Sequence, residues 1–130
     1  MAPHRVLIAR FGAAALALSL IGCLDPCGNA IRSEVASPDG KKRAVVFERS
    51  CGATTPFSAH VSVLDRGEKL PQSSGNVFDA DGDHGAVRDV TVTVFWTSRN
   101  ELLLRYPAAA RVYVRNEQVN GVAIKYETVP

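Results

Sequence analysis

The sequence has no excess of either charge. Its 130 residues hold 15 Lys and Arg against 13 Asp and Glu. Two of the bases, Arg5 and Arg10, lie in a leader that is argued below to be removed, and what remains is balanced. A balanced chain offers no electrostatic footprint for nucleic acid or any other polyanion. It also lacks a membrane-spanning apolar run. The uncharged stretch at residues 11–21 reaches only about 16 Å as a helix, roughly half the hydrocarbon core of a bilayer.

Helical periodicity is missing after residue 30. There is no heptad, no internal repeat and no low-complexity tract, which excludes a coiled coil or a repeat array. Three cysteines are too few for a disulfide-dense scaffold. No G-x-S-x-G elbow is present, so nothing local supports a serine hydrolase. Cys27, Cys51, His60 and His84 also lack the close-paired spacing that zinc sites use.

What is present is the composition of a folded domain, with 46% hydrophobic and 22% charged residues. The first ten residues carry His4, Arg5 and Arg10 and no acid. A short apolar run follows and ends in Leu20-Ile21-Gly22-Cys23. This is the layout of an export signal. Asp25, Pro26 and Gly28 then rule out continuation as a helix. The chain therefore reads as a signal peptide over residues 1–22, a tether over 23–30 and a single domain over 31–130.

The Leu-Ile-Gly-Cys segment resembles the lipobox of bacterial lipoproteins. That resemblance implies a diacylglyceryl group on the Cys23 sulfur, cleavage before it, and a membrane as the first partner. Two or three acyl chains anchor firmly where one holds only marginally. The residue after the cysteine is Leu24. By the enteric sorting rule a residue other than Asp there implies the outer membrane, with the domain facing the periplasm.

With Cys23 lipidated, Cys27 and Cys51 remain in an oxidising compartment and are expected to pair. The closed loop of about 25 residues would contribute roughly 3.5 kcal/mol in the chain-entropy treatment. The functional alternative is a reactive Cys51 with His60 as its base.

The domain reads as all-β, with about seven or eight antiparallel strands forming a small barrel or a sandwich. Residues 31–36 and 42–50 flank Ser37-Pro38-Asp39-Gly40, where Pro38 and Asp39 suit a type I turn and Gly40 a bulge. Ala44-Val45-Val46-Phe47 is apolar on both faces and predicts a strand inside a sheet. Residues 58–65 alternate, with Ala59, Val61 and Val63 inward. Ser58, His60 and Ser62 would then face water. Residues 66–76 predict an exposed loop, Val77-Phe78 the start of a short strand, and residues 79–87 a second loop.

Residues 89–96 and 101–106 predict a hairpin that pairs Trp96 with Leu102, Val94 with Leu104 and Val92 with Tyr106. Residues 111–115 and 122–127 predict a last hairpin, with Val112 opposite Tyr126 and Val114 opposite Ile124. A tight turn at Asn120-Gly121 would break that register, so a longer loop is expected there.

The segment from Ser37-Pro-Asp-Gly-Lys to Cys51-Gly-Ala-Thr-Thr55, with Val119-Asn-Gly-Val-Ala-Ile-Lys-Tyr126, resembles a family of uncharacterised bacterial proteins, many exported or lipid-anchored. The resemblance implies an envelope location and no activity. The first hairpin and Trp96-Thr-Ser-Arg-Asn-Glu-Leu102 are also similar to propeller-blade hairpins, but one copy of each leaves no room for four blades.

One cluster suggests metal chemistry. Asp79, Asp81 and Asp83 alternate as calcium-loop ligands do. The pattern fails where His84 and Val90 replace the required Gly and Glu, so a solvated acidic turn is the favoured reading. No cofactor is implied. The function expected is a non-enzymatic binding or structural module of the envelope, with an envelope protein as a possible partner. An inhibitor of an envelope or host enzyme, like the small lipoprotein lysozyme inhibitors, is the alternative. An envelope hydrolase or a thiol enzyme is the more distant one.

Overall fold

The computed structural model describes residues 26–52 and 55–130. Nine strands run through it: β1 (Gly28–Ala36), β2 (Lys42–Ser50), β3 (Ser58–Asp65), β4 (Phe78–Asp81), β5 (Thr93–Ser98), β6 (Glu101–Pro107), β7 (Arg111–Arg115), β8 (Gln118–Val119) and β9 (Val122–Val129). They form two sheets, ordered β1-β2-β3-β4-β7 and β5-β6-β9-β8. The sheets do not close into a barrel. They stack as a small sandwich over one core that both supply, including Val46, Val61, Phe78, Val94, Leu102, Leu104 and Ile124. Among the described residues no helix is long and apolar enough to cross a membrane.

The first hairpin follows its turn chemistry. Gly40 adopts φ +70° and donates its N–H to the Ser37 carbonyl at 2.9 Å. Ile31 stands opposite Phe47. β1 begins at Gly28, so residues 28–30, expected in the tether, belong to the sheet.

Strand β2 lies inside its sheet, and both of its faces are buried. Ala44 and Val46 point into the core between the sheets. Val45 and Phe47 point the other way, where they form a second small core with Leu64 and Leu70. Full burial of a side chain such as Phe47 contributes roughly 1.5–3 kcal/mol. The cover over this outer face is the segment 66–77. Arg43 donates to the Glu68 carbonyl, the Asn29 amide donates to the Pro71 and Ser73 carbonyls, and Gln72 donates to the Cys27 carbonyl. The segment is a strap: its solvent side is exposed as expected, and its inner side roofs the sheet.

That roof corrects the reading of β3. Ser62 and His60 were expected to face water, yet they are 3% and 1% exposed. Alternation assigns residues to faces but does not say which faces are covered. Phe78 opens β4 as expected, and β4 also takes in Asp79 and Asp81, which were expected in a loop.

The β5–β6 hairpin has the expected pairs Trp96 with Leu102 and Val94 with Leu104. β5 starts at Thr93 rather than Asp89, and Val92 reaches the core without joining the ladder. A register shift after Trp96 brings Ser98 opposite Glu101, which shortens the turn.

The expected last hairpin does not form. β7 pairs with β4 at the edge of one sheet, while β9 lies in the other, parallel to β6 and antiparallel to β8. Asn120 and Gly121, at φ +50° and +77°, make a tight two-residue turn that sets Val119 opposite Val122. Asn120-Gly121 is thus a turn, but a tight one where a longer loop was expected, because the assumed partner of residues 122–127 was wrong. The parallel β6–β9 pair arises because the chain crosses to the other sheet as β7 before returning.

Candidate functional site

The register places a polar cluster on the outer face of the five-stranded sheet, beyond the end of the strap. β3 supplies Ser58 and His60, β4 supplies Asp79 and Asp81, and β7 supplies Arg111 and Tyr113. These strands pair His60 with Asp79 and Asp81 with Arg111. A cleft of about 490 Å³ opens here, lined by Arg49, Cys51, Ser58, Asp79, Asp81 and Tyr113 among others. A neighbouring cleft of about 510 Å³ shares Pro56, Ser58 and His84 with it and adds Phe57 and Val87.

Ser58, His60 and Asp79 come together in a way that resembles a hydrolase triad. The Ser58 hydroxyl is 2.7 Å from His60 Nε2, and Asp79 Oδ1 is 3.4 Å from the same nitrogen. The other ring nitrogen decides the chemistry. The backbone N–H of Gly75 donates to His60 Nδ1 at 3.0 Å. Nδ1 therefore carries the lone pair of the neutral ring, and Nε2 carries the proton. A base that must take the serine proton needs its lone pair at Nε2. Here that nitrogen donates, toward Ser58 and Asp79. Only glycine admits this approach at position 75, because a Cβ there would lie 2.5 Å from the Val61 carbonyl oxygen.

Burial, with the nearby Arg49 cation adding to it, lowers the His60 pKa to about 4. The ring also stacks on Phe47 with centroids 5.2 Å apart. Asp79 moves the opposite way. Burial raises its pKa, the neighbouring Asp81 raises it further, and Arg49 partly offsets both. The pair is thus biased toward its neutral forms.

Asp81 is the fixed charge of the cluster. Arg111 grips it with two bonds, Nε to Oδ1 at 3.1 Å and Nη2 to Oδ2 at 2.6 Å. The Tyr113 hydroxyl and the Asp83 backbone N–H donate to the same carboxylate at 2.8 and 2.9 Å. The Arg111 bonds lead in holding its pKa down to about 2, and the Asp83 N–H and Tyr113 hydroxyl assist. Arg111 also reaches His84 Nε2 at 3.1 Å. A guanidinium only donates, so this nitrogen is the acceptor of the contact. Asp83 and His84 adopt φ +47° and +57°, which turns the loop back toward Arg111.

The three alternating carboxylates proposed from sequence as a weak calcium site have separate tasks. Asp79 faces His60, Asp81 is filled by Arg111 and Tyr113, and Asp83 lies 3.7 Å from Arg111. Among the described residues no group of His, Cys, Asp or Glu side chains is placed to hold a metal ion. Cys27 and Cys51 form a disulfide. Cys51 therefore has no thiolate to offer His60. Cys23 lies outside the described residues.

Sequence reasoning missed the Arg111–Asp81–Tyr113 network entirely. It rests on the β4–β7 pairing, and no local signal reports that pairing. Ser58 and His60 on one strand face were legible, and their partner Asp79 was not. No family model, curated protein or solved structure matches this chain.

Proposed function

We propose that this chain is a lipoprotein of the bacterial cell envelope, anchored through Cys23, whose domain is a non-enzymatic binding or structural module. The observation that carries the non-enzymatic part is the Gly75 N–H on His60 Nδ1. It uses the lone pair that a base would need, and it leaves Ser58 without activation. The anchor rests on the basic leader, the short apolar run and the Leu20-Ile21-Gly22-Cys23 segment. Asp81, Arg111 and Tyr113 supply a pre-organised polar face for a protein partner, since Arg and Tyr recur where interfaces concentrate their energy. Leu24 favours the outer membrane over the inner.

Metabolic labelling with a fatty-acid analogue tests the anchor. Wild-type chain takes up label and Cys23→Ser does not. Undiminished label in that variant overturns the lipoprotein reading. A serine-directed fluorophosphonate probe tests the other half. Ser58 stays unmodified, and stoichiometric labelling lost in Ser58→Ala would restore the hydrolase reading.

A further inference from the structure

The end of the sandwich nearest the tether can be read from strand register. Gly28 stands opposite Ser50, Arg49 opposite Ser58, Ala59 opposite Ala80, and Ala80 opposite Val112. The start of β1, the end of β2, the start of β3, the end of β4 and the start of β7 thus share one end. The disulfide between Cys27 and Cys51 lies there, just beyond the Gly28–Ser50 pair. Cys23 and Cys27 are four positions apart, a reach of at most about 14 Å. The disulfide passes that constraint directly to the β2–β3 connection.

That connection carries Phe57. It is 62% exposed, the most exposed large apolar side chain among the described residues, and it follows the exposed Pro56. An isolated exposed apolar residue needs no explanation in general. This one sits on the face that a lipid at Cys23 would hold against the bilayer.

We propose that Pro56 and Phe57 form a membrane-interface contact, dipping into the headgroup layer and fixing the orientation of the domain on the bilayer. The proposal rests on lipidation at Cys23. One phenyl ring binds a bilayer too weakly to dock a free protein. A short tether makes the contact intramolecular, so a weak one is enough to set orientation. Charges at this end are mixed. Arg49, Arg88 and Arg111 are set against Glu48, Asp79, Asp81 and Asp89, with Asp83 beside Arg111. Among the described residues at this end there is no basic belt, and the contact is therefore apolar and independent of anionic lipid.

The chain holds one native tryptophan as an internal control. Trp96 lies near the opposite end, where its indole meets the Val35 carbonyl beside the first turn. Lipidated Phe57→Trp protein is reconstituted in phosphatidylcholine vesicles brominated high on the acyl chain. The added tryptophan is expected to lose emission by roughly twofold, as an apolar side chain at the headgroup–acyl boundary would. Wild-type protein, reporting Trp96 alone, keeps its emission. Mass spectrometry of the same sample reads the lipid on Cys23.

Lipid present with the added tryptophan unquenched overturns the interface contact and leaves the anchor intact. Absence of lipid on Cys23 overturns both. A tryptophan shielded from aqueous iodide yet unreached by bromine would place a second copy of the chain on Phe57, and would also overturn the contact.

Discussion

The Trp96 indole N–H donates to the Val35 backbone carbonyl at 2.9 Å, joining the outer strands of two different sheets. β1 ends one sheet and β5 ends the other. An open edge strand is a template for pairing with another chain. The bond ties the end of β1 to the other sheet, which holds that edge strand in place. A register shift between Ile31 and Ser33, together with Arg32 and its ion pair to Glu48, interrupts the rest of that edge.

Trp96→Phe removes this donor and keeps most of the ring. The Val35 carbonyl is near solvent and water can replace the indole, so the expected loss is about 1 kcal/mol. Chemical denaturation reads it as a lower midpoint with an unchanged slope. The same variant is expected to self-associate more at high concentration, which sedimentation measures. An unchanged midpoint and a strictly monomeric variant would show that the bond guards nothing.

His60 makes stability depend on pH. Its pKa is about 4 in the fold and near 6.5 in the unfolded chain. Above 6.5 both states hold a neutral ring and the group contributes no slope. Between 6.5 and 4 only the unfolded chain takes the proton, so stability falls as pH falls. The full loss is about 3 kcal/mol at 1.36 kcal/mol per unit. Asp79 acts in the opposite sense, since its raised pKa lets the fold take a proton first as acid is added. Asp81, held near 2, adds a further loss below the ordinary carboxylate range. Urea titrations from pH 7 to 4 measure the net slope. His60→Gln is expected to flatten it, and an equal slope in that variant would assign the dependence elsewhere.

Calcium is expected to leave the melting temperature unchanged. Asp81 already accepts from Arg111, Tyr113 and the Asp83 N–H, and an ion would have to displace them. Binding at 100 times Kd would stabilise the fold by about 2.7 kcal/mol. A rise of that order, abolished in Asp81→Ala, would reverse the assignment.

Local chemistry made much of this structure legible in the sequence. Ser37-Pro-Asp-Gly40 specifies its turn, and the apolar stripe of residues 94–104 specifies the Trp96–Leu102 register. The two-faced burial of β2 followed from Val45 and Phe47 alternating with Ala44 and Val46. Non-local pairing was not legible. Val112 and Val114 alternate in the same way whether their neighbour is β9 or β4, so a hairpin was expected and a sheet change was found. The site suffered in the same way. His60 is buried because a strap that meets it fifteen residues further along the chain roofs it, and Asp81 is neutralised by a strand thirty residues away.

The disulfide has a consequence beyond closing a loop. Cys27 is bonded to Cys51, and its own carbonyl accepts from Gln72 of the strap. Two residues on, Asn29 holds the strap again through Pro71 and Ser73, and it accepts from Arg49. The chain entry, the end of β2 and the roof over His60 are therefore one mechanical unit. Reduction removes roughly 3.5 kcal/mol of loop constraint. It also frees the entry segment, so the strap is expected to open more often and water to reach the imidazole. A ring that is better hydrated titrates nearer its ordinary value. The His60 pKa should then rise from about 4 toward 6.5 in reduced protein that is still folded. The pH slope of stability would weaken in step, because the two states then differ less in bound protons. NMR titration of the His60 ring, with and without reductant, measures the shift. A His60 titration that stays near 4 after reduction would show that the strap holds without the disulfide. Hydrogen exchange at the Gly75 amide would decide independently, since that N–H is bonded to the ring itself.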